Sequence, residues 1–214
     1  CLRSVAEQDH PDVEHIVVDG DSTDGSRNII ADHADKLSWW CSEPDGGQTA
    51  ALNKGLAHAT GEVFGWINSD DLLLPGALRY VAEIFQAHPA VQVVTGVRVK
   101  RMPYGRDEFQ PSELPDDTRA WYIAHRINQQ ATFMRLAAVR SMGGLDERLH
   151  YVMDLELWWR ALFLYGPAAV HVTQRPLAVF RMHEDSKSAL AQPAFVGETA
   201  SLLHGACLRV GAVE

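Results

Sequence analysis

The chain alternates short apolar runs with longer segments whose apolar residues recur at helical spacing. Residues 15–18 (HIVV) and 62–68 (EVFGWIN) predict strands, because each is a short, largely apolar run next to turn residues. Helices are predicted over 26–35, 48–58 and 75–86, each after a polar or glycine-rich loop. This alternation predicts an α/β fold with a mostly parallel central sheet and helices on both faces.

The remaining chain continues the alternation around one long polar segment. Further elements are predicted as strands at 37–41, at 91–98 and near Val170 and Val179, and as helices at 136–142, 154–164 and from Pro193 onward. Residues 102–118 are polar and proline-rich, and a loop of this length inside a domain is more typical of a lid or binding loop than of a linker.

The composition limits which binding partners and which cellular compartment we expect for the protein. With 214 residues, of which 46% are hydrophobic and 22% charged, the chain predicts a single globular domain over 1–214. A net charge of -9 argues against a nucleic-acid partner, because binding to phosphates needs a Lys/Arg stripe. Three distant cysteines favour reduced thiols and a cytoplasmic location. No apolar run approaches the roughly 20 residues that span a bilayer, and peripheral association with the inner face of a membrane stays open.

Asp70 and Asp71 stand at the end of the predicted strand at 62–68. In an open α/β sheet, ligands bind at the carboxyl ends of the strands. Adjacent carboxylates repel each other unless a cation or proton lies between them, so the pair indicates a hard divalent metal. The alternative is that one Asp caps the helix that follows.

A second acidic loop, residues 19–23 (DGDST), follows the strand at 15–18. It matches the D-x-D-x-T signature of haloacid-dehalogenase-like phosphatases, in which Asp19 would be the nucleophile and Asp21 the acid/base. An EF-hand interpretation fails, because Asp24 and Ile30 stand where that loop requires Gly and Glu. Ordinary strand-to-helix loop chemistry is the remaining interpretation.

Two further polar positions follow in the second half of the chain. Asp154 stands at the start of a predicted helix, where the helix dipole favours an ionised carboxylate able to accept a proton. Trp158 shares its helical face, whereas Glu156 points elsewhere. His183 follows a predicted strand, and taken alone it is more typical of a solvated side chain than of a ligand.

In order, these motifs closely resemble the family 2 glycosyltransferases of GT-A (Rossmann-like) fold. The resemblance covers nearly the whole chain, and its ordered set is more specific than any one motif. The matching segments are 16–26 (IVVDGDSTDGS), 42–48 (SEPDGGQ), 51–55 (ALNKG), 60–62 (TGE), 68–71 (NSDD), 128–133 (NQQATF), 143–146 (GGLD), 154–158 (DLELW) and 181–186 (RMHEDS).

The resemblance implies a role for each matching position. Asp154 would be the catalytic base of an inverting transferase. The other implied groups are nucleotide and donor binding by Asp19, Asp21, Asn53, Lys54 and Asp70, a divalent metal (Mn²⁺ or Mg²⁺) on Asp70, Asp71 and His183, and an acceptor or donor side formed by Gln129, Gln130 and Trp158.

The chain also departs from the family pattern. The family's opening strand would precede Cys1, so we expect the chain given to be N-terminally truncated, with one wall of the nucleobase pocket missing. The other departures are Gly20, Ala50 and Met153 in place of acids, and Asn68 in place of the first Asp of the longer metal motif. Fewer carboxylates predict a weaker or more hydrated metal site.

The sequence therefore predicts an inverting, metal-dependent glycosyltransferase. Its expected partners are a nucleotide-sugar donor, most simply a UDP-sugar, and a saccharide or lipid-linked acceptor in bacterial polysaccharide or glycoconjugate assembly. The alternatives are the phosphatase and a sugar-nucleotide-binding module that has lost catalysis. The sugar, the acceptor and the oligomeric state are not encoded in any motif.

Overall fold

The computed structural model describes residues 1–116, 120, 126–184 and 186–209. Its helices are α1 (Leu2–Ala6), α2 (Ser26–Ala31), α3 (Gln48–His58), α4 (Ala77–Ala87), α5 (Leu136–Ser141), α6 (Met153–Tyr165), α7 (Lys187–Leu190) and α8 (Gln192–Arg209). Short 3₁₀ turns lie at Ala34–Lys36, Gln129–Ala131 and Pro167–Ala169. Within the described part of the chain, no helix combines the length and apolar character needed to cross a membrane.

The strands form a small sheet and a main sheet. They are β1 (Ile16–Asp19), β2 (Trp39–Ser42), β3 (Val63–Phe64), β4 (Leu72–Leu73), β5 (Val93–Arg101), β6 (Glu108–Gln110), β7 (Thr132–Arg135) and β8 (Val170–Arg181). β1 and β2 pair in parallel and form the small sheet. The main sheet has the order β3-β7-β5-β8-β4, with β6 added beside β5.

The predicted α/β class is confirmed, but the main sheet is mixed rather than mostly parallel. β5 pairs in parallel with β8, and its other pairings, with β6 and β7, are antiparallel. A parallel pair needs a long crossover, which α5 and α6 provide between β5 and β8. β6 follows β5 after a short loop within the segment predicted as irregular, and such a loop permits only antiparallel pairing. Residues 117 and 118 of that segment lie outside the described residues.

The core consists of two clusters on either side of the main sheet's central strands. The first is built around α6, and the second packs α4 against β5 and β8. The most deeply buried side chains of α6 are Leu157 and Leu162, and those of the second cluster include Val81, Val94 and Leu177. The first cluster packs against Phe64 of β3 and the second contains Leu177 and Ala178 of β8, so the two clusters support the strands that lead to the polar loops.

The strand predicted over 62–68 is much shorter than expected, because only Val63 and Phe64 pair with β7. Beyond them, side chains take the place of a neighbouring strand: Gln129 Nε2 donates to the Trp66 carbonyl at 2.7 Å. Asn68 then begins a turn in which the Asp71 N–H donates to the Asn68 carbonyl at 3.0 Å. The chain therefore reaches Asp70 through an irregular segment rather than directly from a strand.

Candidate functional site

A cavity of about 1990 Å³ separates the small sheet from β3 of the main sheet. Ile16–Asp19 of β1 form one side, and residues 63–67 form the other. Among the described residues, β1 pairs only with β2 and β3 only with β7, so each strand leaves one edge without a partner strand. The polar side chains that line the cavity include Asp19, Asp70, Arg98, Gln129, Gln130, Asp154, His183 and Lys187.

Asp19 ends β1, and its carboxylate is fixed by hydroxyl groups. Ser22 donates from its N–H to Oδ2 at 3.1 Å and from its hydroxyl to Oδ1 at 2.5 Å. The Ser42 hydroxyl, at the end of β2, donates to Oδ2 at 2.7 Å. Burial raises the pKa of Asp19, but these hydrogen bonds outweigh it and the pKa lies below its usual value. Asp19 is therefore an ionised acceptor with a fixed orientation.

Asp70 and His183 are brought together although they are far apart in sequence. His183 Nε2 lies 3.1 Å from Asp70 Oδ2, and both side chains remain partly exposed to the cavity. The Arg181 guanidinium donates to the Asp70 carbonyl and so ties the end of β8 to the loop. An oxygen and a nitrogen ligand thus lie side by side at the cavity wall.

Asp71 does not join this pair. Its side chain is 0% exposed, and Oδ1 accepts the Arg181 N–H at 3.1 Å, while Oδ2 has no hydrogen-bond partner within normal geometry among the described residues. Burial raises the pKa of Asp71 to about 6, and the charge of Asp70 adds to the rise. Within the part of the chain that the structure describes, no three His, Cys, Asp or Glu side chains are placed to hold one ion. The predicted three-ligand set is therefore reduced to Asp70 and His183.

Asp154 lies in the first turn of α6, as the sequence predicted, and faces the cavity. Burial raises the pKa of its carboxyl to about 6. The Leu155 N–H, which donates to Oδ1 at 2.8 Å, and the charges of Arg98 and Lys187 oppose that rise. Glu156 points away and pairs with Arg160 at 2.6 Å. Asp154 is therefore a carboxyl group that can take up a proton near neutral pH.

Gln129 and Gln130 lie in the 3₁₀ turn before β7 and line the cavity. Gln129 fixes the Trp66 carbonyl, as described above, and accepts from Asn68 at 3.5 Å. Gln130 is 5% exposed, and its Oε1 has no partner. Both residues lie at the cavity wall with little exposure, and their acceptor or donor role stays a prediction.

Besides Asp71, four predicted site residues do not line the cavity. Asn53 instead holds the loop before α6, because its amide donates to the Leu145 carbonyl and accepts the Leu145 N–H, both at 2.9 Å. Lys54 pairs with Glu43 at 2.8 Å. Asp21 is exposed in the loop, with a positive φ of 64°. Trp158 is 5% exposed and packs in the core, where its Nε1 has no partner.

The structure also brings forward three residues that the sequence motifs did not indicate. Arg98 and Lys187 line the cavity near Asp154. Glu198 of α8 accepts three consecutive backbone N–H groups just before α6, from His150, Tyr151 and Val152. Arg98 could have been noticed as a lone charge inside the apolar run of β5, and Glu198 as the sole acid of α8. Nothing near Lys187 in sequence marks its role.

Comparison with known proteins decides the family. The family model described as "Glycosyl transferase family 2" matches residues 1–140, which is more than half of the chain. The chain belongs to glycosyl transferase family 2. Asp70 and Asp154, the residues that the sequence analysis matched to the family's metal and base positions, both line the cavity.

Individual relatives agree with this membership. The glycosyltransferase MT1564 of Mycobacterium tuberculosis is 28% identical over 160 residues, which cover 74% of this chain and 60% of that protein. The chain thus spans a little over half the length of such relatives.

Solved structures of two transferases share the GT-A fold of this family 2 chain. TarS of S. aureus, in complex with UDP-GlcNAc, has a TM-score of 0.69 and 22% identity, covering 89% of this chain and 56% of TarS. The mannosyltransferase PcManGT of Pyrobaculum calidifontis, in complex with GDP-Man and Mn²⁺, has a TM-score of 0.68 and 20% identity. That match covers 95% of this chain and 59% of PcManGT. The predicted GT-A fold is confirmed.

Proposed function

We propose that this family 2 chain carries the active site of an inverting, metal-dependent glycosyltransferase that uses a nucleotide-diphosphate sugar. The observation that carries the proposal is the placement of Asp19, Asp70 and Asp154 around one cavity. Asp19 is held ionised, whereas Asp154 titrates near neutral pH. Two carboxyl groups with such different environments suit two different tasks, binding and proton transfer.

Asp19 would bind the donor's nucleobase. Its fixed oxygens leave room to accept a further hydrogen bond from the imide N–H of a base such as uracil. The fold neighbours carry UDP-GlcNAc and GDP-Man, which supports a nucleotide-sugar donor without choosing the base. A UDP-sugar is our choice because the Asp19 acceptor suits uracil.

A divalent metal fits Asp70 and His183 in part. Two cis ligands of an octahedral ion at ~2.1 Å are about 3 Å apart, and the two ligand atoms here are 3.1 Å apart. Among the described residues only these two side chains are placed to bind the ion, so donor oxygens and water would complete the coordination, as a hydrated Mn²⁺ or Mg²⁺ site allows. The ion would neutralise the departing nucleoside diphosphate.

Asp154 would act as the general base. Its carboxylate would take the proton of an acceptor hydroxyl while that oxygen forms a bond to the anomeric carbon. The bond from the anomeric carbon to the diphosphate oxygen breaks on the opposite face, and the electron pair leaves with the diphosphate. Attack from the opposite face inverts the anomeric configuration. The acceptor would be a saccharide or a lipid-linked saccharide, and the enzyme would work at the cytoplasmic face of the membrane in polysaccharide or glycoconjugate assembly.

Calorimetry with UDP, with and without Mn²⁺, tests the binding half of the proposal. Asp154→Asn tests the catalytic half, because it should retain UDP binding and lose turnover of UDP-sugars in the presence of a panel of saccharides. Glu156→Gln is the matched control, since this acid stands on the same helix but pairs with Arg160. Full turnover by Asp154→Asn would assign the base elsewhere, and UDP binding without any turnover would favour the binding-module alternative.

The phosphatase alternative has little support. As a nucleophile Asp19 would be weakened, because three hydrogen bonds from Ser22 and Ser42 stabilise its negative charge and lower its pKa. The downstream Lys54 that would assist the phosphoryl group pairs with Glu43 instead. Family membership points to the same conclusion.

A further inference from the structure

Arg98 is a cation that lines the cavity, and among the described residues no anion is in direct contact with it. It stands on β5, where Nε donates to Gln110 Oε1 of β6 at 2.8 Å. The guanidinium carbon lies 5.0 Å from the centre of the Phe180 ring on β8. These two contacts, one at the edge and one on the face of the guanidinium plane, hold its orientation.

The rest of the guanidinium faces open space. Among the described residues, neither Nη1 nor Nη2 of Arg98 has a hydrogen-bond acceptor, and no carboxylate lies within ion-pair distance. Neither atom is among the fully buried polar atoms that lack a partner, so both retain some solvent contact, and Arg98 is one of the residues that line the cavity. Other arginines, such as Arg101, Arg148 and Arg160, form ion pairs. The pair of open N–H groups therefore remains available to a ligand.

Burying the positive charge of Arg98 costs free energy unless a bound anion compensates it. Burial lowers the pKa of Arg98, and the charges of Asp71 and Asp154 only partly compensate. The other cavity cation near Asp154 is different, because Lys187 donates to the His150 carbonyl and to Gln48 Oε1. Arg98 is thus held in place but not neutralised by contact.

The position of Arg98 assigns it to the sugar-transfer end of the cavity. Its charge acts on Asp154, the proposed base, whereas the charge acting on Asp19 at the nucleobase end comes from Arg27. A planar fork of N–H groups matches two oxygens of a carboxylate or a phosphate. We propose that Arg98 binds an oxyanionic substituent on one of the two sugars that meet at Asp154, so that the enzyme prefers an acidic sugar substrate.

This inference rests on the proposed function and names its substrate class. The acidic group belongs either to the transferred sugar or to the acceptor sugar, and two experimental arms separate these sources. The donor arm compares the affinities of UDP-glucuronate and UDP-glucose by calorimetry with Mn²⁺ present. The acceptor arm compares glucuronate with glucose, and glucose 6-phosphate with glucose, without any nucleotide.

Arg98→Gln and Arg98→Lys are the test variants, and Arg79→Gln, an exposed arginine on α4 paired with Asp9, is the matched control. We expect the parent and Arg79→Gln to prefer the acidic ligand at least about tenfold in one arm, as a bidentate charged contact implies. Arg98→Gln should bring that ratio close to one, and Arg98→Lys should retain only part of it. Because each ratio compares two ligands on one variant, a general loss of stability does not change it.

Three results would overturn the assignment. The first is that the parent binds the acidic and the neutral ligand equally well in both arms. The second is that Arg98→Gln keeps the parent's preference for the acidic ligand. The third is an equal weakening of UDP itself, which would place Arg98 on the donor diphosphate. Absence of UDP binding by the parent contradicts the proposed function instead, and the acceptor arm, which contains no nucleotide, then decides the role of Arg98.

Discussion

The Asp70 carboxylate and the His183 imidazole meet at 3.1 Å, although 113 residues separate them in sequence. Asp70 lies in the loop before β4, and His183 follows β8. The two elements are joined by antiparallel pairing of Leu72 with Val179 and of Leu73 with Ala178. The loop that carries Asp70 and the residues that follow β8 are therefore held together at the cavity wall.

We expect Asp70→Ala and His183→Ala each to weaken Mn²⁺-dependent UDP binding by about tenfold or more, because each removes one of two protein ligands. Calorimetric titration of UDP with and without Mn²⁺ measures the effect. Glu184→Ala, an exposed acid next to His183, should bind like the parent. If both variants retained the full Mn²⁺ enhancement of the parent, the metal would have to lie elsewhere.

Activity should fall in acid with a midpoint near pH 6. Burial raises the pKa of Asp154 to about 6, and the base works only when deprotonated, so the rate should drop about tenfold per pH unit below that midpoint. The positive charges of Arg98 and Lys187 face Asp154 and favour its ionised form. Arg98→Gln should therefore move the acid limb of kcat/KM to higher pH. A limb that stayed near pH 4 would indicate a solvated carboxylate.

The sequence predicted best those features that depend on neighbours along the chain. Helix α3 was predicted over 48–58 and is observed at Gln48–His58, because a glycine turn precedes it and no distant contact is needed to define it. Asp19 and Asp154 were found for the same reason, since each stands at the end of one element. Asp70 was found in the same way, although the strand before it is much shorter than predicted, so strand, loop and helix signals located all three central carboxylates.

The failures involve distant partners. Asp71 is buried, and its Oδ1 accepts the N–H of Arg181, which is 110 residues away in sequence. Asn53 is occupied by the Leu145 backbone, 92 residues away, and Trp158 by the core around α6. Such pairings depend on how sheets and helices pack against each other. The spacing of residues along the chain carries no information about that packing.

Glu198 should position the start of α6 as well as stabilise it. Its carboxylate accepts the His150, Tyr151 and Val152 N–H groups at 2.9, 2.7 and 2.8 Å, two residues before Asp154. In Glu198→Gln an amide NH₂ replaces one acceptor, so we expect a loss of about 1–3 kcal/mol in the free energy of unfolding. Thermal unfolding measures it, with Glu83→Gln on the exposed face of α4 as control.

The positioning role of Glu198 has its own readout. A misplaced Asp154 lowers kcat and leaves the affinity for UDP unchanged, because Asp19 and Asp70 lie on other elements. Glu198→Gln measured well below its unfolding temperature should therefore lose kcat with little change in UDP binding. A variant that unfolded earlier yet kept the parent kcat would restrict Glu198 to a structural role.

The unpaired edges of β1 and β3 face the same cavity, and we propose that a further strand belongs between them. The GT-A resemblance places such a strand before Cys1.

A version extended by that strand should show slower amide hydrogen exchange at Ile16–Asp19 and Val63–Phe64, because both edges gain hydrogen-bond partners. It should also bind UDP more tightly, since the added strand would form part of the nucleobase pocket beside Asp19. A Gly/Ser extension of equal length is the control, because it lacks strand propensity. Equal exchange at both edges in the two versions would show that the cavity is not a strand site.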